Sequence, residues 1–478
     1  MILRHFFDDR LAQSSYLVGC PGAGEALVID PTRDTGLYLE AAAREGLRIV
    51  GVTETHIHAD FASGSLELAE SAGATLFLSG AGGADWQYEV GQYETEPHDG
   101  RSFSDVERLT DGSVLSVGQV RLTAWHTPGH TPEHLTFSLT DSAASLEPLG
   151  VFTGDFVFVG DVGRPDLLEK AAHHAGTMQA SARDLYHSLQ RLRELPDGLL
   201  LFPGHGAGSA CGKSLGGVPV TTLGYERQTN WAFQATGEAD FVQAVLQGQP
   251  EPPPYFARMK QINKALTAPV AAKPVPRLGG GHLDRRVESG GWVAIDVRSA
   301  ALFGAGHWPG AVNIPRGKSF LTWAGTVLAY DKPLLLFAEN ALQAQAAASD
   351  LRLIGMDTMT GWVGPEALTD GTVATLPQAD LADLASLQEA GAVVVDVRER
   401  SEWREGHIPG ARHIPLGQIA ARSGELPHGV PLVVHCQGGT RSPVAASILL
   451  RHGFGRVSNL PAGFRGYQQS GRRVDLGK

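Results

Sequence analysis

The stretch Glu54–Gly64, ETHIHADFASG, places two histidines and an aspartate directly after an apolar, β-branched run, Leu47–Thr53. Such a run predicts a buried strand, and open α/β sheets gather functional side chains beyond the ends of their strands. His56 and His58 stand one residue apart, with Asp60 behind them, and imidazole and carboxylate groups are common ligands of transition metals. The stretch therefore predicts an α/β sheet with a metal site at its edge.

Further strand ends in the first 250 residues carry the same kinds of side chain. His126 and His130 follow the strand pattern RLTAW, Asp155 ends GVFTGD, and His205 ends LLLFPGH. A single histidine after a strand is usually a surface or capping residue. Several such positions in one domain favour a shared metal site, because strand ends that are distant in sequence meet at one sheet edge.

Length, composition and charge set the broad class of the protein. The 478 residues predict about three domains of ~150 residues each. The net charge of −12, with no long basic block, argues against nucleic acid or an anionic membrane as partner. No run reaches the ~18 apolar residues of a membrane helix, and no export signal is evident. The three cysteines are odd in number and far apart, so we expect free thiols and a cytoplasmic location.

An internal repeat occupies the C-terminal half. Ile295–Pro315 matches Val395–Pro415 at an offset of one hundred residues, with ten of 21 positions identical. Each copy continues into an apolar strand and a helix, which predicts two copies of one α/β domain of ~100 residues. A proline-rich segment with one short helix precedes the first copy. The predicted division is a first domain over 1–256, a linker over 257–282, and repeat domains over 283–375 and 376–478.

The segment Val433–Pro443, VVHCQGGTRSP, predicts a strand, a tight loop and a helix. Gly438 and Gly439 free backbone N–H groups to face an anion, and the helix dipole adds a further ~0.3–1 kcal/mol in the same direction. Arg441 contributes a full positive charge. Together these features should lower the pKa of the Cys436 thiol and stabilise a persulfide anion on it.

This loop and the upstream DVR…GHIPGA pattern resemble the rhodanese family. The resemblance implies that Cys436 and Arg441 are catalytic and that the four residues between them form the persulfide loop: Gln437, Gly438, Gly439 and Thr440. Asp396, Arg398 and His407 are interpreted as structural residues of the fold.

The first repeat copy lacks this loop. Ala338 stands at the cysteine position and Gln343 at the arginine position, with no glycines between them. We therefore predict a degenerate rhodanese-like domain.

The motifs THIHAD, PGHTP, TGD and FPGH resemble the metallo-β-lactamase superfamily over Met1–Phe256. The resemblance implies an αββα sandwich with metals at one edge. Binuclear members of that superfamily place a histidine after the aspartate, where this chain has Phe61, whose phenyl ring offers a metal no donor. One metal per chain is the resulting expectation.

The superfamily branch that uses one metal is the persulfide dioxygenase branch. Similarity to it implies one Fe(II) per chain, held by His56, His130 and Asp155, with positions left open for O2 and a substrate sulfur. His58 and Asp60 then orient the ligands or bound water, and His58 is alternatively a fourth ligand.

Three further residues are candidates for contact with the thiol substrate. Arg164 lies nine residues beyond Asp155, where the dioxygenases place an arginine, and its planar fork suits a carboxylate or persulfide anion. A structural pair with a nearby aspartate is the alternative. Thr153 is expected to line the same site. Cys211, in a glycine-rich loop after His205, either relays a persulfide or is an inert buried thiol.

The order of the three domains resembles the CstB-type persulfide dioxygenase–sulfurtransferases, over essentially the whole chain. The resemblance implies oxidation of a low-molecular-weight thiol persulfide by O2 to sulfite and thiol, followed by thiosulfate formation from sulfite and persulfide sulfur. The alternative is a zinc-dependent thioester hydrolase of glyoxalase II type fused to a sulfurtransferase. The identity of the thiol and the oligomeric state, a homo-oligomer included, stay open.

Overall fold

The computed structural model describes residues 1–90, 106–170, 176–266, 274–279, 291–368 and 373–477. The chain divides into two compact units. The first comprises residues 1–269 with 352–355, and the second comprises 270–351 and 356–478. Parts of the predicted linker over 257–282 lie outside the described residues, and the predicted domain boundaries stay predictions.

The first unit contains two six-stranded sheets. In the first sheet the strands follow chain order, and β3 to β6 are parallel. In the second sheet, which runs β12-β11-β10-β9-β8-β7, only the β10–β11 pair is parallel. The strands are β1 Ile2–Asp8, β2 Gln13–Cys20, β3 Glu25–Ile29, β4 Arg48–Thr53, β5 Thr75–Ser79, β6 Val106–Leu109, β7 Val114–Val117, β8 Val120–His126, β9 Leu135–Asp141, β10 Gly150–Gly154, β11 Leu200–Pro203 and β12 Thr221–Thr222.

Helices cover the outer faces of these sheets. The longest, Met178–Arg193, buries Ala182, Leu185, Leu189 and Leu192, the spacing of one face of an α-helix. The helices are α1 Gly36–Arg44, α2 Ser65–Ala72, α3 Leu167–Lys170, α4 Met178–Arg193, α5 Leu223–Thr229, α6 Trp231–Gln234, α7 Glu238–Leu246 and α8 Phe256–Lys264, with a 3₁₀ turn at Ala84–Trp86.

Three apolar clusters show that the first unit is a four-layer sandwich. One cluster joins the inner faces of the two sheets, with Leu27 of β3 and Phe137 of β9 among its members. A second packs α1 and α2 on the first sheet, and a third packs α4 and α7 on the second. Burying one face of each sheet and one stripe of each helix requires this layering. The predicted αββα fold is confirmed.

The second unit contains two four-stranded parallel sheets with matching orders, β14-β13-β15-β16 and β18-β17-β19-β20. The strands are β13 Val293–Asp296, β14 Val312–Asn313, β15 Leu334–Phe337, β16 Met359–Val363, β17 Val393–Asp396, β18 Arg412–His413, β19 Leu432–His435 and β20 Val457–Asn459. The helices are α9 Ala300–Ala305, α10 Phe320–Val327, α11 Ala341–Arg352, α12 Leu384–Glu389, α13 Arg400–Glu405, α14 Ile419–Arg422, α15 Ser442–Arg451 and α16 Gly463–Gln469, with 3₁₀ turns at Pro365–Leu368, Leu416–Gln418 and Ser423–Glu425.

A buried aspartate–arginine pair is repeated in both sheets. Arg298 donates to the Asp296 carboxylate and the Gly306 carbonyl, and Arg398 makes the equivalent bonds to Asp396 and Gly406. Removing one partner of such a pair typically costs about 3–5 kcal/mol, because it leaves an uncompensated buried charge. We therefore interpret the DVR pattern of both copies as structural, and we expect the loss of either partner to destabilise its domain.

Among the residues described, no helix combines the length and apolar character needed to cross a bilayer.

Candidate functional site

Three side chains from different strand ends converge at one edge of the sandwich. His56 follows β4, His130 follows β8, and Asp155 follows β10. Oδ2 of Asp155 lies 3.8 Å from Nε2 of His56 and 3.5 Å from Nε2 of His130, and all three residues are buried. His56 Nε2 and Asp155 Oδ2 have no hydrogen-bond partner among the described residues. Unpaired buried polar atoms are costly, so these converging atoms fit a cation bound between them.

The Nδ1 atoms of His56 and His130 make hydrogen bonds that fix the tautomer of each ring. The Thr55 hydroxyl donates its proton to Asp30 Oδ2, at 2.8 Å, so it accepts from Nδ1–H of His56, at 2.9 Å. Nδ1 of His130 donates to the Arg164 carbonyl at 3.1 Å. Each Nε2 is thereby left with its lone pair facing Asp155, as metal coordination requires.

His134 supports Asp155, the candidate carboxylate ligand, and was not among the residues singled out from the sequence. Its Nε2 accepts from the backbone N–H of Asp155, at 3.2 Å, and its Nδ1 bonds the Thr127 hydroxyl at 2.9 Å. Burial lowers the pKa of His134 well below its ordinary value, so the ring is neutral and able to accept. The signal for it was the last histidine of HTPGHTPEH, which directly precedes strand Leu135–Asp141.

His58 faces away from this group. Its Nε2 lies 3.2 Å from Asp30 Oδ1 and 2.9 Å from Glu54 Oε2. Burial alone would lower the pKa of His58, but the two carboxylates outweigh it and raise the pKa well above its ordinary value. The geometry favours a positioning role over that of a fourth ligand.

Asp60 is linked to Asp155, one of the candidate metal ligands, through the His205 ring. The His205 ring lies between two carboxylates, with Nδ1 2.7 Å from Asp155 Oδ1 and Nε2 2.7 Å from Asp60 Oδ2. These charges overcome burial and raise the pKa of His205 to about 10. The thiol of Cys211 lies beside Asp60 and His205, within 4.8 Å of their donor atoms. Burial and the nearby carboxylates raise its pKa well above the ordinary value.

Arg164 and Thr153 are both engaged within the protein. Arg164 is fully buried, and its Nε and Nη2 donate to the Asp166 carboxylate at 2.8 and 2.9 Å. Nη1 also donates to the Ala210 carbonyl and Nη2 to the Pro250 carbonyl. This is the structural ion pair that was the alternative to a substrate clamp. The Thr153 hydroxyl donates to the Val157 carbonyl at 2.6 Å.

Phe61 is fully buried and contacts His58, with ring centroids 4.5 Å apart. The side chain of Asn263, on α8, donates to the backbone carbonyls of both residues and so fixes the HIHADF loop. The phenyl ring offers a metal no donor atom.

A histidine at this position should restore the second metal site. We expect Phe61→His to bind close to two zinc ions per chain where the parent binds about one, since imidazole is a preferred zinc ligand. Metal analysis after equilibration with excess zinc is the measurement, and Phe61→Leu is the control for altered packing. Equal zinc content in both variants would contradict this account of Phe61.

Cys436 lies at the carboxyl end of β19, facing the N-terminus of α15. Its Sγ accepts from the Gly439 N–H at 3.2 Å and lies 3.6 Å from the Ser442 hydroxyl. Burial raises the pKa of the thiol, but bonds from Ser442 and the loop N–H groups outweigh it and bring the pKa below its ordinary value. Gly439 has φ +81° and a Cβ there would lie 2.4 Å from the Pro461 carbonyl, so the loop requires glycine.

Two arginines flank the loop, and both have acidic partners. Arg441 forms a bidentate pair with Glu402, at 2.6 and 2.7 Å. Arg398, besides pairing with Asp396, donates to the Gln437 side chain at 3.1 Å. Thr440 is exposed at the loop surface.

The corresponding loop of the first repeat contains no thiol. Ala338 is buried after β15, and Gln343 bonds back to Glu339 on the same loop. We expect Ala338→Cys, in a Cys436→Ser background, to show no sulfur transfer above that background. Without the glycine turn and arginine, the thiol keeps a pKa near 8.5 and only a few per cent is thiolate at neutral pH. Robust transfer by the double variant, assayed with thiosulfate or a persulfide donor, would show that this domain is competent.

Known protein families match both the N-terminal and the C-terminal half of the chain. Residues 8–205 match the metallo-beta-lactamase superfamily, and residues 281–362 and 380–470 each match the rhodanese-like domain. A metallo-beta-lactamase structure from Staphylococcus aureus subsp. aureus COL is 38% identical, with a TM-score of 0.65, over 76% of this chain and 99% of its own.

Curated relatives with two different activities each match less than half of this chain. The mitochondrial persulfide dioxygenase ETHE1 of Bos taurus is 29% identical over 48% of this chain and 75% of its own length. A hydroxyacylglutathione hydrolase of Methylococcus capsulatus is 30% identical over 40% of this chain and 60% of its own length. With the four-layer sandwich and the paired parallel sheets, these matches show that the chain belongs to the metallo-β-lactamase superfamily and carries two rhodanese-like domains after its N-terminal domain.

Proposed function

We propose that the protein is a non-haem iron persulfide dioxygenase coupled to a rhodanese sulfurtransferase. The observation that carries the proposal is the group His56, His130 and Asp155, because two imidazoles and one carboxylate with further positions open are typical of non-haem Fe(II) oxygenases. The similarity to persulfide dioxygenase ETHE1 supports the same assignment. The substrates are a low-molecular-weight thiol persulfide and O2, and the products of this domain are sulfite and the thiol.

The three residues would hold one Fe(II) per chain, which when bound supplies the redox chemistry with O2. The protein positions the donors through the bonds to Thr55 and the Arg164 carbonyl, described above. His205 donates to Asp155 Oδ1, which leaves Oδ2 directed at the two Nε2 atoms. Burial of the whole group excludes bulk water from the ligands.

The C-terminal domain would transfer the sulfane sulfur. The Cys436 thiolate attacks the terminal sulfur of a thiol persulfide, the S–S bond of the donor breaks, and the thiol leaves with the bonding electrons. The N–H of Gly439 and the Ser442 hydroxyl stabilise the resulting anion beside Cys436. Transfer of that sulfur to sulfite gives thiosulfate, so this domain consumes the product of the first and detoxifies sulfide-derived sulfur.

A second candidate is a zinc-dependent thioester hydrolase, which the similarity to hydroxyacylglutathione hydrolase favours. Phe61 speaks against it, because a two-zinc hydrolase uses a histidine where this chain has a buried phenyl ring. We further propose that the protein acts in the cytoplasm, without nucleic acid or membrane as partner.

Metal content separates the two candidates. Protein purified without oxygen from iron-replete cells should contain about one iron per chain, as measured by plasma emission spectroscopy. A chain that holds two zinc ions under those conditions and hydrolyses a glutathione thioester would refute the dioxygenase assignment.

A further inference from the structure

Binding an anionic sulfur acceptor at the loop around Cys436 requires a positive charge. Arg441, the arginine expected to supply it, is already paired with Glu402. Both terminal nitrogens of Arg441 bond the Glu402 carboxylate, and Glu402 Oε2 also accepts from the Glu399 N–H. A bidentate pair of this kind is geometrically specific and among the stronger ion pairs. Arg398 is likewise committed, to Asp396 and to the Gly406 carbonyl. In both arginines at least two guanidinium nitrogens already donate to protein oxygens, so neither charge is fully available to an incoming oxyanion.

Arg465 borders the same loop from the other side. Its backbone N–H donates to the Gln437 carbonyl at 3.0 Å, which fixes the start of helix α16 against the loop. Gly438 is exposed, and the space beside its Cα is bordered by the guanidinium of Arg465, whose Cζ would lie 4.0 Å from a Cβ at Gly438. Arg465 is exposed, and its side chain makes no hydrogen bond or ion pair with any residue in the described part of the chain.

We propose that Arg465 binds the anionic sulfur acceptor above the persulfide of Cys436. The inference deepens the proposed sulfur-transfer function and rests on it. A sulfite anion in the space above Gly438 would place its oxygens against the Arg465 fork, while the lone pair on its sulfur faces the loop. The Arg441–Glu402 pair, in contrast, fixes the shape of the loop, and the Glu402 carboxylate offsets the charge of Arg441.

Transfer of the persulfide sulfur from Cys436 to sulfite needs no oxidant, reductant or other reagent. The sulfur lone pair of sulfite attacks the terminal sulfur of the Cys436 persulfide, and a new S–S bond forms. The bond between Cys436 Sγ and that sulfur breaks, and its electron pair stays on Sγ as thiolate. Persulfide monoanion and sulfite dianion thus give thiolate and thiosulfate dianion, with the total charge unchanged. Arg465 neutralises part of the charge that repels the two anions.

The test is the sulfite dependence of sulfur transfer by the full-length protein. Arg465→Gln should raise the KM for sulfite by about tenfold, the loss of one charge-assisted contact of ~1.4 kcal/mol, with a smaller change in kcat. Arg465→Lys should restore part of the affinity. Arg456→Gln is the matched control, because Arg456 is also an exposed arginine of this domain. With 2-mercaptoethanol as an uncharged acceptor, all variants should match the parent, which also shows that they are folded.

Several outcomes would overturn the inference. If Arg465→Gln changes the KM for sulfite no more than Arg456→Gln does, Arg465 does not bind the acceptor. If Glu402→Gln lowers the KM for sulfite while Arg465→Gln leaves it unchanged, the released Arg441 is the acceptor site instead. A parent protein that transfers sulfur to neither sulfite nor 2-mercaptoethanol refutes the proposed sulfurtransferase function itself, which is a distinct result.

Discussion

The His56→Ala variant should lose its bound metal and, with it, persulfide-dependent oxygen uptake. His56 contributes one of the three convergent donor atoms, and its Nε2 has no other hydrogen-bond partner among the described residues. Loss of even an outer-shell partner typically costs about 10–100-fold in metal affinity, so loss of a ligand should cost at least that much. Metal content after gel filtration and oxygen-electrode rates measure the two effects.

The control for this variant is His187→Ala, because His187 is exposed on α4 and its Nε2 lies 3.2 Å from a carboxylate oxygen of Glu238, which is itself partly exposed. It should keep the metal and the activity of the parent. Retention of one metal per chain and of oxygen uptake by His56→Ala would show that the metal site has been assigned to the wrong residues.

The Cys436→Ser variant should lose sulfur transfer by at least about a thousandfold, the scale seen when a nucleophile is removed from an enzyme. Oxygen uptake should stay close to the parent value, since the candidate metal site lies in the other unit of the chain. Sulfite should therefore accumulate where the parent forms thiosulfate, as followed by derivatisation and chromatography.

Cys20→Ser is the matched control, because Cys20 is a buried thiol on β2 within an apolar cluster. It should form thiosulfate normally. Unchanged thiosulfate production by Cys436→Ser would shift the assignment to Cys211, the third cysteine.

The sequence was sufficient for the architecture because its signals are local and repeated. Apolar strands followed by histidine or aspartate predicted where each strand ends, and a sheet brings those ends together. Asp296 and Asp396 share one motif at an offset of one hundred residues, and the same buried pair with arginine recurs in both sheets. The same reasoning predicted that histidines and aspartates at these strand ends share a site, whereas the choice of His56, His130 and Asp155 among them came from the resemblance to the persulfide dioxygenases.

The partners of individual side chains could not be predicted, because they are set by residues distant in sequence. Asp30, which directly follows β3, accepts the hydroxyl proton of Thr55 and thereby sets the tautomer of His56. Glu54 is close to His58 in sequence, but the sequence alone does not decide whether the His58 ring contacts a carboxylate or a metal. Arg441 was expected to face the loop anion, but Glu402, 39 residues earlier, holds it.

Oxygen consumption decides whether the N-terminal domain is a persulfide dioxygenase. It is measured with the anaerobically purified, iron-containing protein on addition of glutathione persulfide, with coenzyme A persulfide and other thiol persulfides as alternative substrates. We expect rapid oxygen uptake that requires the persulfide and produces sulfite or thiosulfate. The contradicting result is an iron-containing, folded protein that consumes no oxygen with any of these persulfides and instead hydrolyses a glutathione thioester.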